Sequence, residues 1–464
     1  LNLGSLVTSG SLSVVSTGGD ININVPIYET TGYTSLWAAG DILVNQVVAN
    51  ATTGADLLMQ AGGDIAVNAK IGPWDRSDAT YPIVNRNALP GGKVQLLAGG
   101  DILIEREIGT YRGGLTGADD AAINLTSTGG SVLLTPGIKV SSDGGAISVS
   151  AQDDLANGPE ITVLDAEHLN AIPDTGYYTT GALSLTSTGG DVYIEQWIPR
   201  TTGTVTIRAA DRLEINQRIY TNHGDISLYA GAGGIWQNPL ADPNPVADQN
   251  TFAISDIDAR NGNLYLEAVG DIQPWVLRTN RNLTVKSTTG SITGGRIEPS
   301  RNNPMEILGG PDRVELAGYA GISGFSAVFS PDVSAISANG SIVNLGIYLP
   351  SSLLLIAADD ILTPTSVMGS APRLYAGRDI VLNGIYGGDM TAYAGRDFVT
   401  TLNVAPGILS SLDLSAGYAP FDTLAGVTIA GVAAPIWGGP FGTGDISISA
   451  AAPDKILWVE GNGG

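Results

Sequence analysis

Short runs of alternating apolar and polar residues fill most of the chain, and a Gly-Asp pair recurs between them. The segment from Leu36 to Val44 shows the unit: an apolar run, the corner Ala39-Gly40-Asp41, and a second apolar run. Alternation with a period of two predicts β-strands that bury one face. Because so short a unit has no core of its own, neighbouring units must stack on one another.

The corners recur at regular intervals. Neighbouring corners lie 18 to 23 residues apart in the regular parts of the chain. Gly tolerates positive φ at a sharp corner, and Asp accepts hydrogen bonds from nearby backbone N–H groups as in an Asx turn, so we predict a row of structural turns. The predicted turn row consists of Asp20, Asp41, Asp64, Asp101, Asp191, Asp225, Asp271, Asp379, Asp397 and Asp445. Less regular copies of the corner, in which the Gly-Asp pair is not intact, place Ser131, Ser291, Ser341 and Asp360 at the same point.

The corners fall into two classes. The leading apolar residue stands five positions before the Asp in one class, as at Leu96, and six positions before it in the other, as at Leu185. The second class carries Ser-Thr-Gly-Gly or Ser-Thr-Thr-Gly. We predict two corner geometries that differ by one residue.

Composition restricts the fold further. The 464 residues include 62 Gly and 24 Pro, too many for long helices, while a hydrophobic fraction of 43% argues against disorder. We therefore predict an all-β fold, a right-handed parallel β-helix (solenoid) with loop insertions, as a single domain over residues 1–464. Parallel coils stack about 4.8 Å apart, so roughly 16 to 20 coils would form a rod about 80 to 95 Å long.

Candidate insertions are richer in Pro, Asn, Asp and aromatic residues than the coils. They lie at about 73–90, 105–121, 152–181, 232–251, 299–313 and 418–444. Such insertions either carry binding or are tolerated decoration. Their aromatic side chains could contact sugar rings or partner proteins, or could pin each loop to the shaft. The surface-contact candidates are Trp74, Tyr81, Tyr177, Tyr178, Trp236 and Trp437.

A second set of aromatic residues occupies strand positions beside the corners. Alternation places Trp37, Tyr193, Tyr375 and Tyr393 on the outside in most registers. Side chains at matching positions of paired strands contact each other. These four residues could therefore form stacked ladders along one face.

Charge and residue types limit the chemistry. The formal net charge of −23 disfavours nucleic acid and anionic lipid as partners and could attract Ca²⁺. We predict no cofactor, and we assign no catalytic or metal-binding residue. The strongest acidic cluster is Asp153-Asp154, Glu160, Asp165, Glu167 and His168 in the 152–181 insertion, where charge is usually only solvated. The absence of Cys suits a secreted rod, although a repetitive protein could simply lack it.

Both ends of the sequence resemble internal strands. The chain begins at Leu1 with no signal-peptide pattern after it, and Ile456 to Val459 are as apolar as any internal strand. An open terminal coil is a template for pairing. We therefore expect either that the polypeptide continues beyond this segment, or that copies stack head to tail by a heterologous contact.

The repeated Ala-Gly-x-Asp-Ile and Ser-Thr-Gly-Gly-Asp/Ser corners resemble the shaft repeats of filamentous-haemagglutinin-like exoproteins, the two-partner-secreted adhesins of Gram-negative bacteria. The resemblance covers most of the chain outside the insertions. It implies a right-handed parallel β-helix that is exported and displayed as a fibre at the cell surface, in contact with a host or neighbouring cell or with polysaccharide. The family's Asn-Pro-Asn-Gly-type secretion motif and a toxin tail are missing from this sequence, and no family binding residue can be carried over.

The function expected from these patterns is a structural and adhesive segment of an extracellular bacterial surface filament, and not an enzyme. Adhesion, biofilm and competition between cells are alternative roles for such a filament. The alternative is a carbohydrate-active β-helix enzyme, a polysaccharide lyase or hydrolase, which would need two or more carboxylates within catalytic reach on one long face. A third possibility is a stalk that presents a binding or toxic module outside this segment.

Overall fold

The computed structural model describes residues 6–7, 10–28, 32–48, 56–71, 92–110, 122–135, 140–142, 145–157, 181–195, 198–201, 203–239, 256–300, 311–348, 350–363, 367–369, 371–383, 385–387, 389–402, 412–416, 424–435 and 444–450. These ranges contain β-strands and turns and no α-helix. They form two compact units, one extending to Ala230 and the other beginning at Gly231. Each unit is a parallel β-helix.

One coil of unit 1 shows how the sequence pattern becomes structure. In the strand Thr34–Ala38 alternate side chains point inward and are buried, while Trp37 points outward. The corner at Asp41 turns the chain into a second strand, Ile42–Val44, whose two end residues are buried. After a second corner at Asn45, Val48 makes a bridge to the neighbouring coils. Each coil therefore has a long segment, a short segment and a third point of contact.

The strands of unit 1 are β1 (Leu6–Val7), β2 (Leu12–Ser16), β3 (Ile21–Ile23), β4 (Ile27–Tyr28), β5 (Thr34–Ala38), β6 (Ile42–Val44), β7 (Leu57–Ala61), β8 (Ile65–Val67), β9 (Val94–Ala98), β10 (Ile102–Ile104), β11 (Ile108–Thr110), β12 (Ile123–Ser127), β13 (Val132–Leu134), β14 (Val140–Ser142), β15 (Ile147–Ala151), β16 (Leu155–Asn157), β17 (Leu183–Ser187), β18 (Val192–Ile194), β19 (Ile198–Thr201), β20 (Val205–Arg208), β21 (Arg212–Ile215), β22 (Ile219–Thr221) and β23 (Ile226–Ala230).

In unit 1 these strands form parallel sheets. The long sheet runs β2-β5-β7-β9-β12-β15-β17-β20-β23. The short sheet runs β3-β6-β8-β10-β13-β16-β18-β21. The third side is formed by the pairs β1-β4, β11-β14 and β19-β22 and by single bridges at Ile27, Val48, Ile71 and Ile108.

The strands of unit 2 are β24 (Gly234–Gln237), β25 (Ile257–Ala259), β26 (Leu264–Ala268), β27 (Ile272–Gln273), β28 (Val276–Thr279), β29 (Asn282–Ser287), β30 (Ser291–Glu298), β31 (Arg313–Gly318), β32 (Gly321–Phe329), β33 (Asp332–Ser337), β34 (Ile342–Val343), β35 (Ile347–Tyr348), β36 (Ser352–Ala357), β37 (Ile361–Thr363), β38 (Val367–Gly369), β39 (Pro372–Ala376), β40 (Ile380–Leu382), β41 (Ile385–Gly387), β42 (Met390–Ala394), β43 (Phe398–Leu402), β44 (Leu412–Ala416), β45 (Thr428–Ile429), β46 (Val432–Ala433) and β47 (Ile446–Ala450).

Unit 2 repeats the arrangement. Its long sheet runs β26-β29-β31-β33-β36-β39-β42-β44. Its short sheet includes β24-β27-β30-β32-β34-β37-β40-β43-β47. The long strands β30 and β32 continue around the second corner, where Gly294, Gly295 and Gly324 have φ angles of 87°, 105° and 77° that glycine adopts without strain. The fold therefore confirms the prediction of an all-β parallel β-helix.

Stacking in register creates continuous apolar columns. Leu36, Met59 and Leu96 lie above one another on successive long strands and are buried. Ile42 and Ile65 belong to the matching column of the short sheet. Full burial of one such side chain stabilises the folded state by about 1.5 to 3 kcal/mol. The repeat therefore obtains its core from contacts between coils and not within one coil.

Three of the predicted insertions begin later than composition indicated. Residues Ile108–Thr110 pair with Val140–Ser142, and Leu155–Asn157 pair with strands on both sides, so residues 105–110 and 152–157 belong to coils. Residues Gly234–Gln237 likewise form a strand. Polar and aromatic composition misplaced these boundaries because the outward positions of a coil are also polar. The rest of the 105–121, 152–181 and 232–251 predictions lies largely outside the described residues, as do all of 73–90 and most of 299–313.

Residues 424–435 form a hairpin on the outside of unit 2. Strands β45 and β46 are antiparallel, with Ala430 and Gly431 at φ angles of 50° and 77° in the turn. Leu424 and Ile429 of this hairpin pack on outward side chains of the long sheet. This segment of the predicted 418–444 insertion therefore covers part of its own β-helix.

Candidate functional site

The Asp side chains at the first corner join each coil to the next. The N–H of Asp41 donates to Oδ1 of Asp20 at 2.9 Å, and the N–H of Asp64 donates to Oδ1 of Asp41 at 2.8 Å. We call this series the corner row. The same bond joins Asp101 to Asp64, Ser131 to Asp101, Asp191 to Asp154, Arg212 to Asp191, Ser291 to Asp271, Asp379 to Asp360, Asp397 to Asp379 and Asp445 to Asp397.

Nine of the ten predicted Asp residues lie in the corner row, and Asp225 does not. Asp225 stands directly before the long strand β23, and its carbonyl accepts the N–H of Val205 at 2.9 Å. It therefore occupies a different corner of the coil. The row position after Asp191 is taken by Arg212, not by Asp211. The dipeptide Gly-Asp occurs at both kinds of corner, so the spacing of Gly-Asp pairs did not distinguish Asp225 from the residues of the corner row.

Asp154 belongs to the corner row, although the composition around Asp153 and Asp154 predicted an insertion. Its Oδ1 accepts the N–H of Asp191 at 2.9 Å. The predicted acidic cluster is thereby divided: Asp153 and Asp154 form a coil corner, and Glu160, Asp165, Glu167 and His168 lie outside the described residues. The signal that would have found Asp154 is Val149, which stands five positions before it as in the shorter corner class.

Space, not backbone angle, explains the glycine before the corner Asp. A Cβ on Gly63 would lie 2.1 Å from Oδ1 of Asp41, and one on Gly100 would lie 2.0 Å from Oδ1 of Asp64. Neither glycine has a left-handed φ. The prediction that these corners need positive φ is therefore wrong. At Gly63 and Gly100 the carboxylate of the preceding coil lies in the place that a side chain would fill.

The two corner classes differ by one residue, as predicted. Ala98 pairs with Ser127, and the glycine pairs that follow them also stack, so Thr128 is the extra residue of the longer corner. The Ser127 hydroxyl donates to the carbonyl of Gly100 at 2.6 Å and accepts the N–H of Gly130 at 3.0 Å. The serine of this class therefore satisfies the backbone groups that the longer turn leaves open.

Two Gly-Arg-Asp corners in unit 2 add ion pairs to the corner row. Arg378 pairs with Asp360, and Arg396 pairs with Asp379, in each case with the Asp of the preceding coil. The hydrogen bond from Arg396 lowers the pKa of the Asp379 carboxyl, against the effect of burial. The backbone bond of the row is longer here, 3.2 Å at Asp397. At these two corners an arginine stands at the position that Gly63 and Gly100 take in unit 1, and its ion pair adds a second contact with the Asp of the preceding coil.

A second ladder follows the second corner of unit 1. The side-chain amide of Asn45 donates to Asn24 at 3.0 Å, and that of Asn68 donates to Asn45 at 2.9 Å. Further along, Asn216 donates to Glu195 at 2.6 Å. This ladder was not predicted from the sequence. Its signal is the polar residue directly after the short strand, which recurs in each of these coils.

The aromatic residues do not form one ladder. Trp37 lies in the long sheet and Tyr193 in the short sheet, so they are on different faces. The hydroxyl of Tyr193 donates to Asp191 at 2.9 Å, which raises the pKa of Tyr193 to about 12. Tyr375 and Tyr393 do stack as predicted, with ring centroids 5.6 Å apart.

Tyr375 is not available as a contact surface. It is 7% exposed, because Leu424 and Ile429 of the 424–435 hairpin pack against it together with Ile336 and Ile356. Burial raises the pKa of its hydroxyl. Of the six surface-contact candidates, Trp236 lies in strand β24 and is partly buried. The other five, Trp74, Tyr81, Tyr177, Tyr178 and Trp437, lie outside the described residues.

A buried charge cluster lies on the third side of unit 2. Asp258, Arg278 and Glu298 stand in register on neighbouring strands. Arg278 contacts both Asp256, which is fully buried, and Glu298, at 3.1 Å in the second case. Burial lowers the pKa of Arg278, but these carboxylates raise it more, to a value above its usual range. The arginine thus neutralises acids that would be costly to bury alone.

No metal centre emerges from the parts of the chain that the structure describes, where no three His, Asp or Glu side chains converge as ligands. The predicted attraction of Ca²⁺ therefore rests on the net charge of −23. His223 is exposed at its corner and lies 3.2 Å from Asn222. His168 lies outside the described residues.

The outer face of the long sheet in unit 1 differs from every corner in its chemistry. We define the uncharged face as the outward residues of strands β2, β5, β7, β9, β12, β15 and β17. Alternation and register place on it Ser13, Val15, Ser35, Trp37, Leu58, Gln60, Gln95, Leu97, Asn124, Thr126, Ser148, Ser150, Ser184 and Thr186. None of these side chains is charged, in a chain with 45 acidic and 22 basic residues.

Comparison of the chain with protein-family models, with curated proteins and with solved structures finds no match. Among the described residues, no helix has the length and apolarity needed to cross a membrane. The class of protein is therefore defined by the fold itself, a parallel β-helix with a corner row that bonds coil to coil.

Proposed function

We propose that this chain is a structural and adhesive segment of an extracellular bacterial surface filament, in which the β-helix serves as an elongated shaft. The observation that carries the proposal is the corner row. Its carboxylates, the most regular acidic groups of the chain, accept backbone N–H groups of the next coil and so hold coils together. A shaft needs this repeated bonding along its length, and an enzyme would need carboxylates directed towards a substrate.

The location at the surface of a Gram-negative bacterium rests on the resemblance of the corners to filamentous-haemagglutinin-like shafts. The parallel β-helix fits that resemblance, and the high acidity fits a soluble exposed rod. In this proposal the shaft either continues in a longer polypeptide or is extended by head-to-tail stacking of copies. Its partners are a host or neighbouring cell surface, or polysaccharide, and it has a role in adhesion or in biofilm.

The test combines microscopy with mass measurement on cells that produce the protein. Antibodies raised against residues 203–239 should label intact, unpermeabilised cells along thin fibres. A denaturing gel of detached fibres then separates the two forms: a band at the mass of the 464-residue chain means stacking, and a much larger band means a continuous polypeptide.

Two outcomes would contradict the proposal. Label that appears only after permeabilisation would place the protein inside the cell. Release of reducing or unsaturated sugar from polysaccharides incubated with the purified chain would favour the alternative, a carbohydrate-active β-helix enzyme. The variant Asp154→Asn, assayed in the same way, is the control. The Asp154 carboxylate bonds one coil to the next and should contribute nothing to sugar release, so this variant should release as much sugar as the wild type.

A further inference from the structure

We infer that the uncharged face of unit 1 binds neutral polysaccharide chains. This inference deepens the proposed adhesive function and rests on it, since it assigns the surface and the ligand class of that adhesion. Three strands at one end of the face carry the polar patch that motivates it. The patch consists of Asn124, Thr126, Ser148, Ser150, Ser184 and Thr186, two residues from each of strands β12, β15 and β17.

The polar groups of this patch are free to bind a ligand. All six side chains are partly exposed. Within the described structure none of them donates or accepts a hydrogen bond, whereas corner side chains such as Ser127 and Asp154 are engaged between coils. Hydroxyl and amide groups both donate and accept hydrogen bonds, as sugar hydroxyls do. The face therefore offers unused groups of the kind that a sugar surface can satisfy.

The shape of the face fits an extended polymer. Outward residues of neighbouring strands repeat about every 4.8 Å, so the column from Trp37 to Thr186 spans about 24 Å over five steps. Trp37 is 37% exposed in the same column as Gln60, Leu97 and Thr126. An exposed indole is a flat surface on which a sugar ring can stack. The column thus combines one stacking site with a row of hydrogen-bonding sites.

Charge selects the neutral class of polymer. Nucleic acids and acidic glycans require lysine or arginine side chains, and the uncharged face has none. The basic residue next to it in the same column, Arg208 on strand β20, lies over the ring of Tyr229 at 3.7 Å. A lipid surface requires basic residues or a broad apolar face, which the polar patch does not provide. A neutral glycan needs no charged side chain to bind it. Because the face carries no carboxylates, binding does not require removal of the strongly held water around a charged group.

The outward column of unit 2 gives a reason why the occupant of the uncharged face is not a second copy of the chain. There the matching outward column is apolar, with Ala317, Ile336, Ile356 and Tyr375, and the chain covers it with its own hairpin. Interface cores between proteins are apolar and rich in aromatic residues in the same way. The polar patch of unit 1 has the opposite chemistry and is left uncovered by the described residues.

The experiment is affinity electrophoresis of the full chain in gels that contain one polysaccharide each. The neutral probes are amylose, galactomannan, mannan and a β-1,3-glucan, and the anionic probe is heparin. We expect at least one neutral probe to retard the chain and heparin to leave it unretarded. The double variant Ser150→Arg/Thr186→Arg should weaken binding by about tenfold or more, because bulky side chains then stand over the row. Arg208, in the same column on the next strand, shows that the sheet accepts arginine there.

The matched control places the same two charges on the other sheet. Asn22→Arg/Leu133→Arg alters two exposed outward residues of the short sheet and should leave retardation unchanged. Trp37→Ala should weaken binding without adding charge. If the arginine variant misfolds by circular dichroism, the triple variant Asn124→Ala/Ser148→Ala/Ser184→Ala replaces it, since it removes hydrogen-bonding groups and adds no bulk.

Several results would overturn the inference. These are no retardation by any neutral probe, stronger retardation by heparin, or equal retardation of the wild type and the face variants. Sedimentation showing a dimer that the arginine variant dissociates would instead assign the face to a second copy. A chain that forms surface fibres but ignores every neutral probe loses this inference and keeps the proposed function, whereas an intracellular location removes the proposed function whatever the gels show.

Discussion

At the scale of single residues, the corner row depends on a carboxylate and on the space beside it. Oδ1 of Asp64 accepts the N–H of Asp101 at 2.8 Å, and Gly100 leaves room for that oxygen. A hydrogen bond to a charged acceptor contributes about 1.5 to 3 kcal/mol. The glycine and the aspartate of neighbouring coils are therefore one interaction, although they are 36 residues apart in sequence.

Gly100→Ala should lower the free energy of local unfolding in unit 1 by about 1.5 to 3 kcal/mol, because the new Cβ forces the Asp64 carboxylate away from the Asp101 N–H. Hydrogen exchange resolved by peptide measures it. Gly18→Ala is the control, since nothing lies within 4 Å of its added Cβ. That substitution should be neutral or stabilising by less than about 1 kcal/mol. Equal effects of the two substitutions would mean that space at the corner is not limiting.

Sequence alone identified most residues of the corner row but not their role. Gly-Asp recurrence located Asp41 and Asp64 correctly. It assigned the Asp to a local turn, whereas the acceptor serves the next coil, because a hydrogen bond between coils depends on a stacking register that a local motif does not contain. The wrong assignment of Asp225 has the same cause, because its Gly-Asp sequence matches the corner row while its position in the coil differs.

At the scale of elements, unit 2 shows how a β-helix protects an apolar outer column. Outward positions of the long strands are normally polar, but Ile336, Ile356 and Tyr375 are apolar and buried. The hairpin β45–β46 supplies the cover through Leu424 and Ile429. Alternation predicted the strands of the long sheet because one face repeats every second residue. It could not predict this cover, since the hairpin and the column are distant in sequence.

Ile429→Ala should loosen the hairpin, because it removes most of a buried side chain at a cost of about 2 to 5 kcal/mol. We expect faster hydrogen exchange at the amides of Val427 and Ala434, which bond within the hairpin, and stronger binding of a dye that reports exposed apolar surface. Thr428→Ala, at an exposed position of the same strand, should change neither signal. An unchanged exchange rate in Ile429→Ala would show that the hairpin is held elsewhere.

At the scale of the whole molecule, each unit consists of coils that contact mainly their immediate neighbours. Stability in such repeat proteins is approximately a sum over coils and over the interfaces between adjacent coils. Composition and repeat spacing were enough to predict this class of fold. The uncharged face of unit 1 could have been found in the same way, by reading only the outward positions of strands β2, β5, β7, β9, β12, β15 and β17 and noting that none carries charge.

Urea should therefore unfold the chain in more than one step, with each unit responding to its own substitutions. Leu96→Ala removes a buried side chain from unit 1 and should shift only the peptides up to Ala230 by about 2 to 5 kcal/mol. Leu374→Ala in unit 2 is the reciprocal variant. Hydrogen exchange at increasing urea follows both. A single transition shared by all peptides, shifted equally by either variant, would contradict this additive behaviour.

The corner row also bears on how a gene for such a protein changes length. Each Asp meets the same backbone group whether the next coil begins 21 residues later, as at Asp41, or 23 residues later, as at Asp64. A duplication or loss of one complete repeat restores that contact at the junction, whereas a cut in mid-repeat breaks it. Tandem duplication can therefore add whole turns to this protein without redesign of the residues on either side.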